Sequence, residues 1–322
     1  MEPIRLDTAA PFDGAGVMRY LAGHAIPGVE YGDESSYRRR VRLTDGSTTD
    51  LEARIDGPDA VAVSTVTVST KAVSPVAVSP VAVSPERWPI PPELLPRIRR
   101  LFDLDADSTT IDAHLAADPA LTPSVAARPG IRLPGSLDPH EELFRTLIGQ
   151  QISIAATRTV LGRISRELCG DSGLFPTALQ FAERGLEVLR GPASRIATVH
   201  GVAVALASGS LVVDATLTVD GLSERLAAIP GIGPWTAGYV AMRALGAPDV
   251  LLTTDLVLLK GAARLGLPAS PRDLGVYGKR WSPFRSYAGL HLWRSAQAQC
   301  SGAGVTFRQL SRGGPDGRRQ GN

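Results

Sequence analysis

Residues 226–260 read LAAIPGIGPWTAGYVAMRALGAPDVLLTTDLVLLK. The segment Ile229-Pro230-Gly231-Ile232-Gly233 is too short and too rich in glycine to be a regular element, yet amphipathic helical pattern lies on both sides of it. The stretch therefore reads as helix, tight hairpin, helix. Glycines at 231 and 233 let the backbone turn and bring its N–H groups up to an anion, here a nucleic-acid phosphate.

The segment after the hairpin strengthens that reading. Between Leu256 and Cys300 the bases are Lys260, Arg264, Arg272, Lys279, Arg280, Arg285 and Arg294, against the single acid Asp273. Such a run alone is commonly a solvated helical face; beside a phosphate-binding hairpin it favours a polyanionic partner. The net charge of +2 hides this asymmetry.

With 322 residues, 43% hydrophobic and 20% charged, the chain has room for two or three domains with a sizeable core. Its opening, MEPIRLDTAAPFDG, lacks the apolar core of a secretory signal, and no later apolar run is long enough to span a bilayer, so a cytoplasmic location is expected. Cys169 and Cys300 stand far apart and in no paired spacing, which argues against a disulfide framework, a zinc site or an iron–sulfur cluster. Neither a metal nor another cofactor is expected.

Residues 1–92 read as an α/β domain. Val17 to Leu21 is helical in pattern, whereas Tyr37 to Leu43 and Thr48 to Ile55 alternate like strands. Residues 61–85 form five pentapeptides, VAVST, VTVST, KAVSP, VAVSP and VAVSP, whose period of five fits neither a strand nor a helix. They read as an exposed low-complexity insert. Residues 93–300 are helical throughout, a body of eight to ten helices carrying the hairpin motif at 221–245, and the Gly- and Arg-rich segment 301–322 reads as a disordered tail. The fold class is α+β.

Two groups of residues could carry chemistry. Asp255 ends the apolar run Leu251-Leu252-Thr253-Thr254 where the helix Leu256 to Leu265 begins. It is either an ordinary N-cap or, if a preceding threonine caps instead, a carboxylate free to face a cleft. A carboxylate beside a helix N-terminus is favoured in its charged form, which suits a cationic transition state. Trp235 and Tyr239 are four apart on one helix face, and with Trp293 they are either core residues or a stacking site for a purine. His140, His200 and His291 stand apart from any ligand spacing and read as structural or surface residues.

Taken together, IPGIGPWTAGYVAMRALG, DVLLTTD, FRTLIGQQISIAATR and WSPFRSYAGLHLWR resemble the helix-hairpin-helix DNA glycosylases, most closely the bacterial DNA-3-methyladenine glycosylase II branch. The resemblance runs from about Arg5 to about Trp293 and is interrupted by the pentapeptides. It implies a TATA-binding-protein-like N-terminal domain on a helical body. It also implies a monomeric, monofunctional hydrolase that releases alkylated purines from duplex DNA in base excision repair.

The same resemblance assigns roles. Asp255 matches the catalytic aspartate. Gly231, Ile232 and Gly233 match the phosphate clamp, with Thr236 opening the next helix. Gln151, where relatives often carry leucine, falls at the wedge that fills the gap left by a flipped base. Trp235, Tyr239, Trp293 and Tyr20 match the base pocket. Strand-cleaving members carry a lysine where this chain has Trp235, so no lyase activity is expected. Two alternatives stay open: a glycosylase for deaminated or oxidised bases, and a non-catalytic module that binds distorted DNA.

Overall fold

The computed structural model describes residues 3–67, 90–214 and 216–297. The N-terminal part is built on five strands, β1 (Ile4–Asp7), β2 (Glu30–Gly32), β3 (Ser36–Arg42), β4 (Thr48–Ile55) and β5 (Ala60–Thr67), with helix α1 (Gly14–His24) between the first two. They pair antiparallel in the order β1-β5-β4-β3-β2. Apolar residues on alternate positions, among them Tyr37, Val41, Leu51, Ala53, Val61 and Val63, face a core that Val17, Met18 and Leu21 of α1 cover.

This sheet corrects the reading of residues 61–85. The first pentapeptide and the start of the second are not an exposed insert; they form β5, hydrogen-bonded on both edges, with Val61 and Val63 fully buried. Reading the segment in fives obscured the V-x-V alternation inside each unit, which has the two-residue period of a strand. The remaining pentapeptides lie outside the described residues, as does the segment 301–322.

Helices fill the rest: α2 (Leu94–Phe102), α3 (Ser108–Ala116), α4 (Thr122–Ala127), α5 (Pro139–Gly149), α6 (Ile154–Cys169), α7 (Ala178–Val188), α8 (Ala193–Ala207), α9 (Val219–Ala227), α10 (Pro234–Leu245), α11 (Leu256–Arg264), α12 (Pro271–Tyr277) and α13 (Arg285–Gln297). The α+β class stands. The described helices after residue 93 number twelve, above the eight to ten expected; α4 and α12 have six and seven residues, too few for a helical period to be legible.

The body has two apolar cores. One gathers residues from α5 to α10, the other from α3, α4 and α10 to α13. Helix α10 belongs to both, giving Ala237, Val240, Ala241 and Ala244 to the first and Met242 to the second. Helix α2 instead buries Leu94, Ile98, Leu101 and Phe102 under the sheet.

Charged groups fasten the sheet to the bundle. Arg39 of β3 donates to both carboxylate oxygens of Glu141 in α5, at 3.0 and 2.7 Å. Arg145, one turn further along α5, donates to Glu141 and pairs with Glu30 of β2 at 2.6 Å. Tyr37 also donates to Glu30, and all four charged side chains are 16% exposed or less. A second tie joins Arg294 of α13 to Asp13, the N-cap of α1.

Burial pushes the Glu141 carboxyl up, but Arg39 and Arg145 outweigh that and hold it at about 2. A depressed carboxylate stabilises the fold at pH values above its ordinary range, and that contribution is lost as the pH falls towards 2. Removing one partner leaves an uncompensated buried charge. Arg39→Ala is expected to cost about 3–5 kcal/mol in urea unfolding at neutral pH, whereas truncating the half-exposed Arg5 should cost far less.

Candidate active site

Helix α10 carries the site because of how it begins. Gly231 has φ +91°, in the left-handed region, and a Cβ there would sit 2.4 Å from the Thr198 hydroxyl of α8, which itself donates to the Pro230 carbonyl at 2.8 Å. Only glycine fits this corner. Pro234 follows as a favourable first helical residue, and the N-cap Gly233 has no side chain to satisfy the first-turn N–H groups. The amides of Gly233, Trp235 and Thr236 are thus open to an external acceptor. The Ile232 amide differs from the sequence expectation, since it donates to the Ile229 carbonyl inside the hairpin and its side chain is buried.

Thr236 also turns inward. Its side chain is buried, and its hydroxyl accepts from Gln150 Nε2 at 3.0 Å. Gln150 ends α5, so the hairpin is fastened to the loop that holds Gln151. Gln151 projects from that loop as an exposed residue with φ +62°, its Oε1 accepting from Arg195 of α8 at 3.0 Å. Gln150, Arg195 and Thr198 were not singled out in the sequence; their partners lie up to 86 residues away, beyond any local pattern.

Asp255 combines both arrangements open to it. It is the N-cap of α11, with Oδ1 accepting from the Leu258 amide at 2.8 Å, so neither threonine takes that place. The carboxylate nevertheless faces the aromatic group. Trp293 Nε1 donates to Oδ1 at 3.1 Å and Trp235 Nε1 to Oδ2 at 3.0 Å. A carboxylate offers about four acceptor positions. Three are filled, and the remaining one lies on Oδ2 of a half-buried side chain.

The rings form a column rather than an open slot. Trp235 and Tyr239 stack on each other with centroids 5.1 Å apart and planes 12° from parallel, and Trp293 meets Tyr239 edge-on at 6.4 Å. A purine therefore has no room between Trp235 and Tyr239; the outer faces remain. Tyr20 of α1 joins from the sheet domain, its hydroxyl 3.1 Å from that of Tyr239. Behind it His24 stacks on the Tyr20 ring at 4.1 Å, and burial pulls that imidazole down to about 4.

Much of the basic run serves the fold. Arg285 pairs with Asp249, Arg294 with Asp13, and Arg264 donates to the last carbonyls of α13. Lys260, Arg272, Lys279 and Arg280 are exposed. His200 and His291 are structural, bonded to the Ala182 carbonyl and the Ser124 hydroxyl. Two cavities, of about 130 Å³ beside Arg39, Arg97 and Phe175 and about 350 Å³ beside Asp7, Arg99 and Asp107, do not border Asp255.

The family model described as AlkA N-terminal domain matches residues 3–138, which takes in the sheet and α2 to α4. The chain is 30% identical over 298 residues to the DNA-3-methyladenine glycosylase 2 of Escherichia coli, covering 89% of this chain and 95% of that protein. The chain belongs to the DNA-3-methyladenine glycosylase 2 (AlkA) family. A member from Mycobacterium tuberculosis, called a probable bifunctional transcriptional activator/DNA repair enzyme AlkA, is 36% identical over 302 residues; the match covers 91% of this chain and 57% of that protein's length. The 3-methyladenine DNA-glycosylase of Archaeoglobus fulgidus shares the fold, with a TM-score of 0.71 at 17% identity over 92% of this chain and 98% of that one. Among the described residues of this AlkA-family chain no helix is long and apolar enough to cross a membrane.

The two hairpin glycines differ in what they tolerate. Gly231→Ala meets a positive φ and Thr198, whereas at Gly233 φ is −96° and a Cβ touches nothing within 4 Å. Thermal unfolding should show Gly231→Ala losing about 1–3 kcal/mol beyond the small N-cap cost, under about 1 kcal/mol, of Gly233→Ala.

Proposed function

We propose that the protein is a monofunctional DNA glycosylase, acting as a monomer on duplex DNA, that hydrolyses the N-glycosidic bond of alkylated purines of the 3-methyladenine and 7-methylguanine type. The observation that carries this reading is the Asp255 carboxylate, held by two indole N–H groups and a helix N-terminus with one acceptor position left over. The names of the relatives and the extent of their match support the same assignment.

Extrusion of the damaged nucleotide is required first, since the C1′–N bond is otherwise inside the stack. The uncapped start of α10, at Gly233 to Thr236, takes a backbone phosphate, with Gly231 and Ile232 shaping the turn. Gln151 enters the gap left in the duplex. Trp235, Tyr239, Trp293 and Tyr20 line the base, and a ring contact to a cationic purine contributes about 0.5–2 kcal/mol.

Alkylation at N3 or N7 makes the purine cationic and so a good leaving group, which removes the need for the second carboxylate of sugar hydrolases. The C1′–N bond breaks with its electron pair passing to the base, which leaves neutral. Asp255 offsets the positive charge on the sugar and accepts the proton of the water that adds to C1′. An imine route would need an amine at the sugar. The residue beside Asp255 is Trp235, and Lys260 is exposed on α11.

Asp255→Asn keeps one oxygen for the cap, so the variant is expected to fold and bind DNA while release of 3-methyladenine from alkylated duplex falls by about 10²–10³-fold. Near-normal release would remove Asp255 from the mechanism. Covalent trapping of the wild-type protein by borohydride on damaged DNA would show an imine and refute the hydrolytic assignment.

A further inference from the structure

Arg243 is the third member of the column on α10, four residues beyond Tyr239 and eight beyond Trp235. It is 2% exposed. Its guanidinium carbon lies 4.4 Å from the centre of the Tyr20 ring, 5.2 Å from Tyr239 and 5.8 Å from Trp293. One Nη donates to the Pro134 carbonyl at 2.9 Å, and Nε is buried without a partner. Among the described residues no carboxylate lies within ion-pair distance of it. Glu142 of α5, an acid that feels its field, is itself pushed up by burial.

An arginine is always charged. Three of the four rings read as the base pocket therefore already hold a cation on their inner side. Tyr20 already stacks on His24 and Tyr239 on Trp235, so the ring face left beside Arg243 is that of Trp293, and a cationic purine stacked there would sit about 9 Å from that charge. A neutral purine feels no such repulsion.

We propose that Arg243 is a specificity-determining residue: as a resident cation of the aromatic cluster it holds down the preference of the pocket for cationic over neutral purines. The proposal rests on the reading of the cluster as the base pocket. It implies that the attraction of cationic lesions comes from Asp255 on the outer side more than from the rings, and that neutral purines compete for the same site.

The test is the ratio of 7-methylguanine release, from a cationic nucleoside, to hypoxanthine release, from a neutral one, under single turnover in otherwise identical duplexes. Measured with protein far below saturation the ratio reads selection between the two substrates, and comparing it between variants cancels the intrinsic difference between the two bases as leaving groups. Arg243→Met, which keeps bulk and loses charge, is expected to raise the ratio on the order of tenfold. Arg243→Lys is expected to leave it near the wild-type value. An unmoved ratio in the Met variant, whatever its absolute rates, overturns the proposal, and so does an equal rise in both variants.

Should the Met variant not fold, the Asp255→Asn protein, in which the opposing carboxylate is neutral, decides the matter. Titrated against tryptophan fluorescence, 7,9-dimethylguaninium is expected to bind this variant no more than about threefold more tightly than neutral 9-methylguanine; any larger cation preference overturns the role of Arg243. Failure of the wild-type protein to release either base refutes the glycosylase reading itself and this inference with it. Release of both bases with an unmoved ratio refutes only the inference.

Discussion

Both indole N–H groups of the site end on one carboxylate. Trp235 opens α10, Asp255 opens α11 and Trp293 lies in α13, so two hydrogen bonds at 3.0 and 3.1 Å join three helices at one carboxylate. The carboxylate gains charge-assisted donors and the indoles gain partners they need when half-buried. Because the hairpin runs straight into Trp235, the distance from the open amides at the start of α10 to the Asp255 carboxylate is set by less than one turn of helix and one side chain.

The sheet domain enters the same geometry from the other side. Tyr20 reaches Tyr239 and Arg243 from α1, and α1 is held against the bundle by the Asp13–Arg294 pair and by the buried alternation of Glu30, Arg39, Glu141 and Arg145 under the sheet. Such a lattice costs desolvation and repays it only when every member is paired. Its value here is orientation: a carboxylate with two arginines around it admits one arrangement of strand against helix, where an apolar seam would admit several.

The hairpin and Asp255 were legible because glycine, proline and aspartate punctuate the chain for local backbone reasons. The two readings of Asp255 do not exclude each other, since a carboxylate has enough acceptor positions to cap a helix and accept from two indoles together. Arg243 was not legible. In sequence it is one more base on a helix, and what makes it unusual is the burial contributed by Tyr20, Trp293 and the Pro134 carbonyl, all distant along the chain. Strand β5 was missed for the opposite reason, since a conspicuous repeat drew attention away from a shorter period within it.

That strand has a consequence for how the chain tolerates change. Each of the first two five-residue units begins V-x-V, and Val61 and Val63 are the pair that β5 buries between β1 and β4. If replication slippage removed the first unit, the second would supply valine at the same two places, and a duplicated unit would do likewise. The two buried positions of β5 are therefore refilled with valine after gain or loss of one unit, while loss of a unit also places Lys-Ala where Val66-Thr67 end the strand.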